Sequence, residues 1–322
     1  MTNEMPCTKL GNTGIEVSKV GFGVLTVGRT QLDLPLEDGA DVIRYALERG
    51  INFLDTAQYY RTYPYIREAL KGTNFNPVIV SKCLSGSRSD MQRAIEEARR
   101  ELDRDVIDIF LLHEVRSMRD FRFRSGAWEV LLDAKAKGII RAMGVSTHHI
   151  DVTDGMAKVP ECDVVFPLIN FKSLGIRKGT ESGSCDEMAD AILKCSKAGK
   201  GVFTMKVFGG GNLTGSYSKA LDYVFGLEGV DATMIGFGKR PEVDMIFDYM
   251  AGRLPKDFAP DVSYKRIHIE EGNCEGCGAC VARCPNGAIT LHNYKGAVVN
   301  PSKCLTCGYC APVCPVRAII MW

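Results

Sequence analysis

Apolar residues along the chain gather into short runs that each end in polar ones. They are VGFGV at 20–24, INFLDTA at 51–57, PVIVSKC at 77–83, VIDIFLLHE at 106–114, IIRAMGVST at 139–147, VVFPLIN at 164–170, VFTMKVFG at 202–209 and ATMIGFG at 232–238. Such runs, apolar rather than strictly alternating, predict strands buried on both faces. The stretches between them change period. From Ser89, with Gln92 three residues on as a capping box, Met91, Ala94, Ile95, Ala98 and Leu102 fall on one helical face. Eight buried strands alternating with amphipathic helices predict a (β/α)8 barrel of the α/β class. Its chemistry is then expected at the C-terminal ends of the strands.

Reading those ends gives Asp55, Lys82 and His113 on successive early strands, with Tyr60 in the loop after Asp55. Singly, each has a plain explanation. Asp55 could cap a helix, Lys82 reach solvent, Tyr60 pack like its neighbour Tyr59, and His113 sit in the core. Together they make an acid. A phenol titrating near 10 is a poor proton donor at neutral pH. A buried ammonium beside it is expected to lower that value, and a carboxylate holds the ammonium charged and in place. A histidine can then orient a carbonyl oxygen. His148 and His149 follow a strand directly and read as loop residues.

Composition adds boundaries. The chain has 322 residues, 45% apolar and 25% charged, with a formal net charge of +1. No apolar run approaches the ~20 residues of a membrane span, and MTNEMPCTKLG lacks the apolar core of a signal peptide. Near-neutral charge without a basic block gives no reason to propose nucleic acid. Thirteen cysteines without an export signal fit a reducing cytoplasm. Five of them, Cys7, Cys83, Cys162, Cys185 and Cys195, are scattered and read as small buried apolar residues.

The other eight are ordered. CEGCGACVARCP spans 274–285 and CLTCGYCAPVCP spans 304–315. Each is C-x2-C-x2-C-x3-C-P, the spacing of bacterial two-cluster ferredoxins, in which the fourth cysteine of one run ligates the other cluster. The pattern assigns Cys274, Cys277, Cys280 and Cys314 to one [4Fe–4S] cluster, and Cys304, Cys307, Cys310 and Cys284 to the second. Gly276, Gly278 and Gly308 let the loops curl and aim N–H groups at sulfur. Zinc shares the C-x2-C spacing but accounts for neither the third cysteine nor the C-x3-C-P. CPNGAIT after the first run and CPVRAII after the second form an internal repeat, and the segment resembles a ferredoxin throughout.

The front part resembles an aldo-keto reductase. CTKLGNTGIEVSKVGFG resembles that family's opening hairpin and first strand, and DTAQYY its D-T-A-x-x-Y. VIVSKC carries the lysine, IFLLHE the histidine, and GIIRAMGVSTH the family's G-x-[IV]-R-x-[IL]-G-[VI]-S. The resemblance implies a catalytic tetrad of Asp55, Tyr60, Lys82 and His113, a barrel over 1–258 and a two-cluster domain over 259–322. It also implies NADP or NAD, with a Ser-Asn pair and a Gln on the nicotinamide carboxamide. Here the pair is Ser146-Thr147, and Phe166 stands where the Gln is expected, with Asn170 nearby in another register. Around strand eight, Gly236, Gly238, Lys239 and Arg240 are the expected phosphate contacts, followed by Glu242, an acid that disfavours a 2′-phosphate.

Hydride carries two electrons together, whereas a cubane passes one. Three accounts follow. The barrel reduces a small carbonyl substrate with nicotinamide while the tail exchanges electrons with a protein partner. Or the clusters feed a barrel-bound substrate directly. Or the tail chiefly docks a partner. The tail's sparse and mixed charge favours one that lies against its own barrel mouth, the alternative being a seat on the outer helices.

Overall fold

The chain opens with a hairpin, β1 (Cys7–Lys9) antiparallel to β2 (Glu16–Ser18). Its turn presses against a later strand: a Cβ on Gly11, whose φ is +49°, would lie 2.3 Å from the Gly201 amide nitrogen. Glycine is what allows that approach. Leu10, Ile15 and Val17 of the hairpin are buried with the barrel interior and plug its N-terminal end. The computed structural model describes residues 5–29, 31–255, 258–260, 266–284, 286–294, 296–304, 310–311 and 313–321.

The eight apolar runs all form strands. They begin with β3 (Val20–Gly23), β4 (Phe53–Asp55), β5 (Val78–Cys83), β6 (Ile107–Leu112), β7 (Ile140–Thr147) and β8 (Val164–Pro167). A small ribbon follows, β9 (Arg177–Lys178) against β10 (Glu181–Ser182). The last two barrel strands are β11 (Gly201–Thr204) and β12 (Ala232–Ile235), closing a parallel barrel in the order β11-β12-β3-β4-β5-β6-β7-β8. Phe53, Val80, Ile109, Leu111, Phe166 and Phe203 fill the interior. The opposite strand faces meet the apolar stripes of the surrounding helices.

One of those helices corrects an expected boundary. It spans Arg88–Leu102, and its N-cap is Ser87, which accepts the Asp90 amide; Ser89 and Gln92 lie inside it. Ser87 holds extended backbone (φ −82°, ψ 148°) one residue before the first turn, which is where a capping hydroxyl is needed. The face is as expected, with Met91, Ala94, Ile95, Ala98 and Leu102 buried. Full burial of each large side chain contributes roughly 1.5–3 kcal/mol.

The tail builds β13 (Ile267–Ile269), β14 (Ile289–His292), β15 (Gly296–Val299) and β16 (Ile319–Met321), pairing β13 with β16 and β14 with β15. The internal repeat is visible in the fold, since β14 and β16 start at the equivalent Ile289 and Ile319. The tail rests on the C-terminal face of the barrel, not on the outer helices. Arg177 donates to the Pro315 carbonyl at 2.9 Å, and Arg317 to that of Gly209 at 2.8 Å. A Cβ on Gly272 would lie 2.7 Å from the Tyr59 hydroxyl.

Candidate active site

Asp55 ends β4, and Lys82 lies in β5 one residue before its end, both nearly fully buried. Their contact is 2.6 Å, and Lys82 Nζ also donates to the Thr56 carbonyl at 2.6 Å. Burial raises the Asp55 carboxyl and lowers the Lys82 ammonium, while their mutual contact opposes both shifts. Tyr60 closes a single 3-10 turn, Gln58–Tyr60, which swings the phenol back over the strand ends. Its hydroxyl is 3.2 Å from His113 Nε2, and its ring stands edge-on to the imidazole at 5.3 Å. Lys82 Nζ lies 4.7 Å from the centre of the Tyr60 ring. The four residues expected from sequence thus lie side by side.

The electrostatics depart from the expectation in one respect. The Tyr60 phenol is held well above its ordinary value, first by burial and then by the carboxylates of Asp55, Glu270 and Glu114. Burial and these carboxylates outweigh the expected lowering by Lys82. Tyr60 therefore stays protonated near neutral pH. His113 is driven well below its ordinary value by burial, with Lys82, Arg124 and Lys206 adding to the shift, so it is neutral near pH 7. Its Nδ1 is buried with no partner among the described residues. A bare lone pair there is less costly than an orphan N–H, which favours the tautomer with its proton on Nε2, facing Tyr60.

Around this centre lies a cavity of 380 Å³, lined by Asp55, Tyr60, Phe166, Lys206 and the glycines 210, 211, 236 and 238. Glu270 and Ile320 of the tail form part of the same wall. Neither was expected from sequence, because only the closure of the tail brings them there. Lys206 was also missed; it adopts φ +60°, a left-handed conformation unusual for a non-glycine residue.

The expected nicotinamide contacts fit only in part. The Ser146 hydroxyl accepts the Glu114 amide at 2.9 Å. That of Thr147 donates to the Val115 carbonyl at 2.6 Å and accepts the His149 amide at 3.0 Å. Phe166 stacks on Phe203 at 4.3 Å, and the Asn170 side chain closes its own loop on Leu174. At strand eight, Glu242 takes the Gly238 amide at 2.7 Å, and Arg240 forms a bidentate pair with Asp41 outside the cavity lining. Gly236, Gly238 and Lys239 do line the groove. The groove is open and the Ser146 hydroxyl keeps its proton to donate, but Thr147 and Arg240 are engaged elsewhere and Phe166 replaces an amide.

The cluster loops fit their groups better. Gly276 and Gly278 take φ of +67° and +76°. Backbone N–H groups point at sulfur: Ala297 at Cys274 (3.4 Å), Ala288 at Cys284 (3.2 Å) and Ala318 at Cys314 (3.3 Å). A Cβ on Gly296 would crowd the Cys274 sulfur to 2.7 Å. Desolvation raises the Cys284 thiol, but N–H groups of 286–289 outweigh it and hold the thiol below its ordinary value, as a thiolate ligand requires. Burial lifts Cys280, and Cys314 and Cys274 lift it further, so these three expected ligands of one cluster lie within electrostatic reach. Among the described residues no three ligand-type side chains converge on a single point; a cubane, larger than one ion, is gripped by thiolates set further apart. Cys307 and Gly308 lie outside the described residues.

Of the five other cysteines, Cys83, Cys162 and Cys195 are buried as expected, whereas Cys7 is exposed and Cys185 partly so. Cys7 lies on the short opening hairpin, one face of which meets solvent, and Cys185 in the first turn of the helix Cys185–Lys197. The Cys83 thiol is raised by burial and inert. His148 and His149 join β7 to the next helix, as expected of loop residues.

A parallel barrel with an acid of this construction at its C-terminal mouth defines the class of protein. Residues 19–226, more than half of the chain, match the model of the aldo/keto reductase family, and residues 273–318 match a 4Fe-4S dicluster domain. The chain belongs to the aldo/keto reductase family and carries an iron–sulfur domain behind the barrel. It is 26% identical over 184 residues to L-galactose dehydrogenase of Arabidopsis thaliana, covering 53% of this chain and 57% of that protein. It is 26% identical over 234 residues to methylglyoxal reductase DkgA of Escherichia coli, covering 69% and 82%. The chain spans little more than half the length of several curated relatives it matches. In fold it is similar to an aldo-keto reductase of Pseudomonas aeruginosa, with a TM-score of 0.64 at 24% identity over 77% of this chain and 95% of that one. Among the described residues no helix is long and apolar enough to cross a membrane.

Proposed function

We propose that the chain is an iron–sulfur oxidoreductase that reduces a small carbonyl compound at the barrel mouth, drawing on electrons carried by its own tail. The observation that carries the reading is the shared wall: Glu270 and Ile320 of the tail line the same cavity as Tyr60 and Asp55. Two bound [4Fe–4S] clusters supply electrons one at a time, and converting a carbonyl to an alcohol takes two electrons and two protons.

The residues provide the rest. A carbonyl oxygen seated between the Tyr60 hydroxyl and His113 Nε2 receives two hydrogen bonds that strengthen as negative charge builds on it. Tyr60 then gives one of the two protons to that oxygen, and the other reaches the carbonyl carbon from solvent at the open mouth of the cavity. Lys82, held charged by Asp55, stabilises the phenolate left behind. Phe166 and Met205 present an apolar wall beside the phenol, against which the carbon part of a substrate can pack. An external low-potential electron-carrier protein, of the kind a cytoplasmic enzyme meets, recharges the tail.

A second reading has reduced nicotinamide sharing the site. It is favoured by the groove continuing from Tyr60 past Gly210 and Gly211 to Gly236, Gly238 and Lys239. The Glu242 carboxylate and the engaged Arg240 would then select NADH over NADPH. One experiment separates the readings. Anaerobic, dithionite-reduced protein is mixed with small aldehydes and ketones, methylglyoxal among them because a relative bears that name, with and without NADH. Reoxidation of cluster absorbance without nucleotide supports direct delivery. Clusters that stay reduced while NADH is consumed reject it in favour of the second reading.

A further inference from the structure

The internal repeat places Arg317 of CPVRAII opposite Gly287 of CPNGAIT. Both positions need the same left-handed backbone, with φ of +57° at Gly287 and +54° at Arg317. Both are followed by the same N–H to sulfur bond, from Ala288 to Cys284 and from Ala318 to Cys314. Glycine meets this requirement without strain, and the first copy uses it. The second copy puts an arginine there instead, so the side chain must supply something that outweighs the strain.

That side chain is 4% exposed. Nη1 donates to the Ala311 carbonyl at 2.5 Å, between Cys310 and Cys314, and Nη2 crosses to the barrel and donates to the Gly209 carbonyl at 2.8 Å. Its aliphatic stem lies so close to Gly175 that a Cβ there would come within 2.2 Å of it. No carboxylate pairs with it among the described residues. A buried guanidinium without a counter-charge is strongly unfavourable. Against burial, the Cys314 sulfur and, after it, the Cys310 sulfur of the other cluster favour its charged form.

We propose that Arg317 is the built-in counter-cation of the cluster ligated by Cys314, and that its second hydrogen bond ties the charge of that cluster to the active-site loop at 209–211. This rests on the cluster assignment and is independent of the carbonyl reading. A tetrathiolate cubane is anionic, and reduction adds another negative charge. A fixed cation beside it in a low-dielectric setting favours the reduced state and raises the midpoint potential. The guanidinium fork also holds the Gly209 carbonyl, and Gly210 and Gly211 line the cavity. A change of cluster charge therefore alters the hold on a wall of the active site.

The test uses anaerobically purified holoprotein with Arg317→Gly, Arg317→Gln and Arg317→Lys. The Gly variant suits the backbone, as Gly287 does in the first copy, so it removes the charge while relieving strain. Redox titration followed by electron paramagnetic resonance should show Gly and Gln lowering one midpoint potential. The expected size is a tenfold fall in the reduced-to-oxidised ratio at fixed potential, about 59 mV for a one-electron couple. Lys should stay within threefold of wild type. Amide exchange over 207–213 should differ between oxidised and reduced wild type, and that difference should vanish in Arg317→Gly. Unchanged potentials in Gly and Gln with iron retained overturn the proposal. So does a Lys variant that shifts or loses iron as Gln does, which would make Arg317 a packing brace.

Discussion

Tyr60→Phe removes one oxygen atom and leaves the ring edge-on to His113, so it isolates the proton donor from the packing around it. The 3.2 Å contact to His113 Nε2 is lost, and with it the group that protonates the carbonyl oxygen. A positioned acid contributes ~10²–10⁴-fold. Two features of the site set the expectation within that range. His113 still faces the oxygen but is held neutral and is a weak acid in that state, so it replaces little of the loss. The cavity is walled by the tail and by Phe166, so water is a limited substitute. The expected loss is about 10³-fold in the rate at which a carbonyl reoxidises reduced clusters, or about 4 kcal/mol of barrier at 1.36 kcal/mol per tenfold. The assay is single-turnover stopped-flow absorbance, with iron content measured on the same sample. Because the phenol lies well above its ordinary value, the wild-type rate should not decline on account of Tyr60 between pH 6 and 9. A Tyr60→Phe protein with full iron and less than a tenfold loss would refute the donor role.

Lys82→Met leaves Asp55 buried and unpaired, so it should destabilise the barrel by about 3–5 kcal/mol as well as abolish turnover. Adding Asp55→Asn should restore most of the thermal stability and none of the activity, and recovered activity would count against the pair's role. Cys314→Ser should damage the cluster held by Cys274 and Cys280, and Cys284→Ser the one built from the later run; resonance spectra showing only the nearer cluster in sequence affected would reject the crossed ligation. His148 lies well below its ordinary value through burial, and below about pH 6.5 the unfolded chain takes up the proton that the folded chain refuses. Stability is thus present above that value and lost as pH falls, by up to about 1.4 kcal/mol per pH unit. His148→Gln should lose less thermal stability than wild type between pH 7.5 and 5.5, and equal losses would show that His148 is not responsible.

What the sequence made legible was whatever a local period or a fixed spacing encodes. The barrel strands announce themselves because burial on both faces demands unbroken apolar runs, and Asp55, Lys82 and His113 stand out because they sit at or next to strand ends, with Tyr60 in the turn that follows the first. The cysteine runs declare a chemistry by spacing alone. The helix cap was misplaced because Ser87 and Ser89 are equally good capping residues on paper, and backbone geometry chooses between them. Glu270, Ile320 and Lys206 were missed because nothing near them in sequence points to the cavity. Their role arises when two distant segments close on one another. The raised phenol of Tyr60 was missed because burial, its first cause, shows only in the closed fold, as does the lesser push from Glu270, 210 residues away. A signal for Arg317 did exist: comparison of the two repeat copies shows a glycine in one and an arginine in the other.

Placement of the tail bears on the accounts that the sequence left open. A ferredoxin domain serving only an outside partner has no reason to cover the substrate mouth, where it would hinder access. Here Arg317 is bonded to the loop that forms the cavity wall, and Glu270 acts on the phenol that is to lose a proton. Tethering already raises the effective concentration of the electron donor to roughly millimolar. Docking at the strand C-terminal face adds orientation. Of the pair expected to hold a nicotinamide carboxamide, the Thr147 hydroxyl meanwhile spends its proton on the Val115 carbonyl, and the Ser146 hydroxyl accepts the Glu114 amide. An electron donor built into the chain, together with a poorly furnished seat for a diffusible one, favours a barrel that takes its electrons from its own tail.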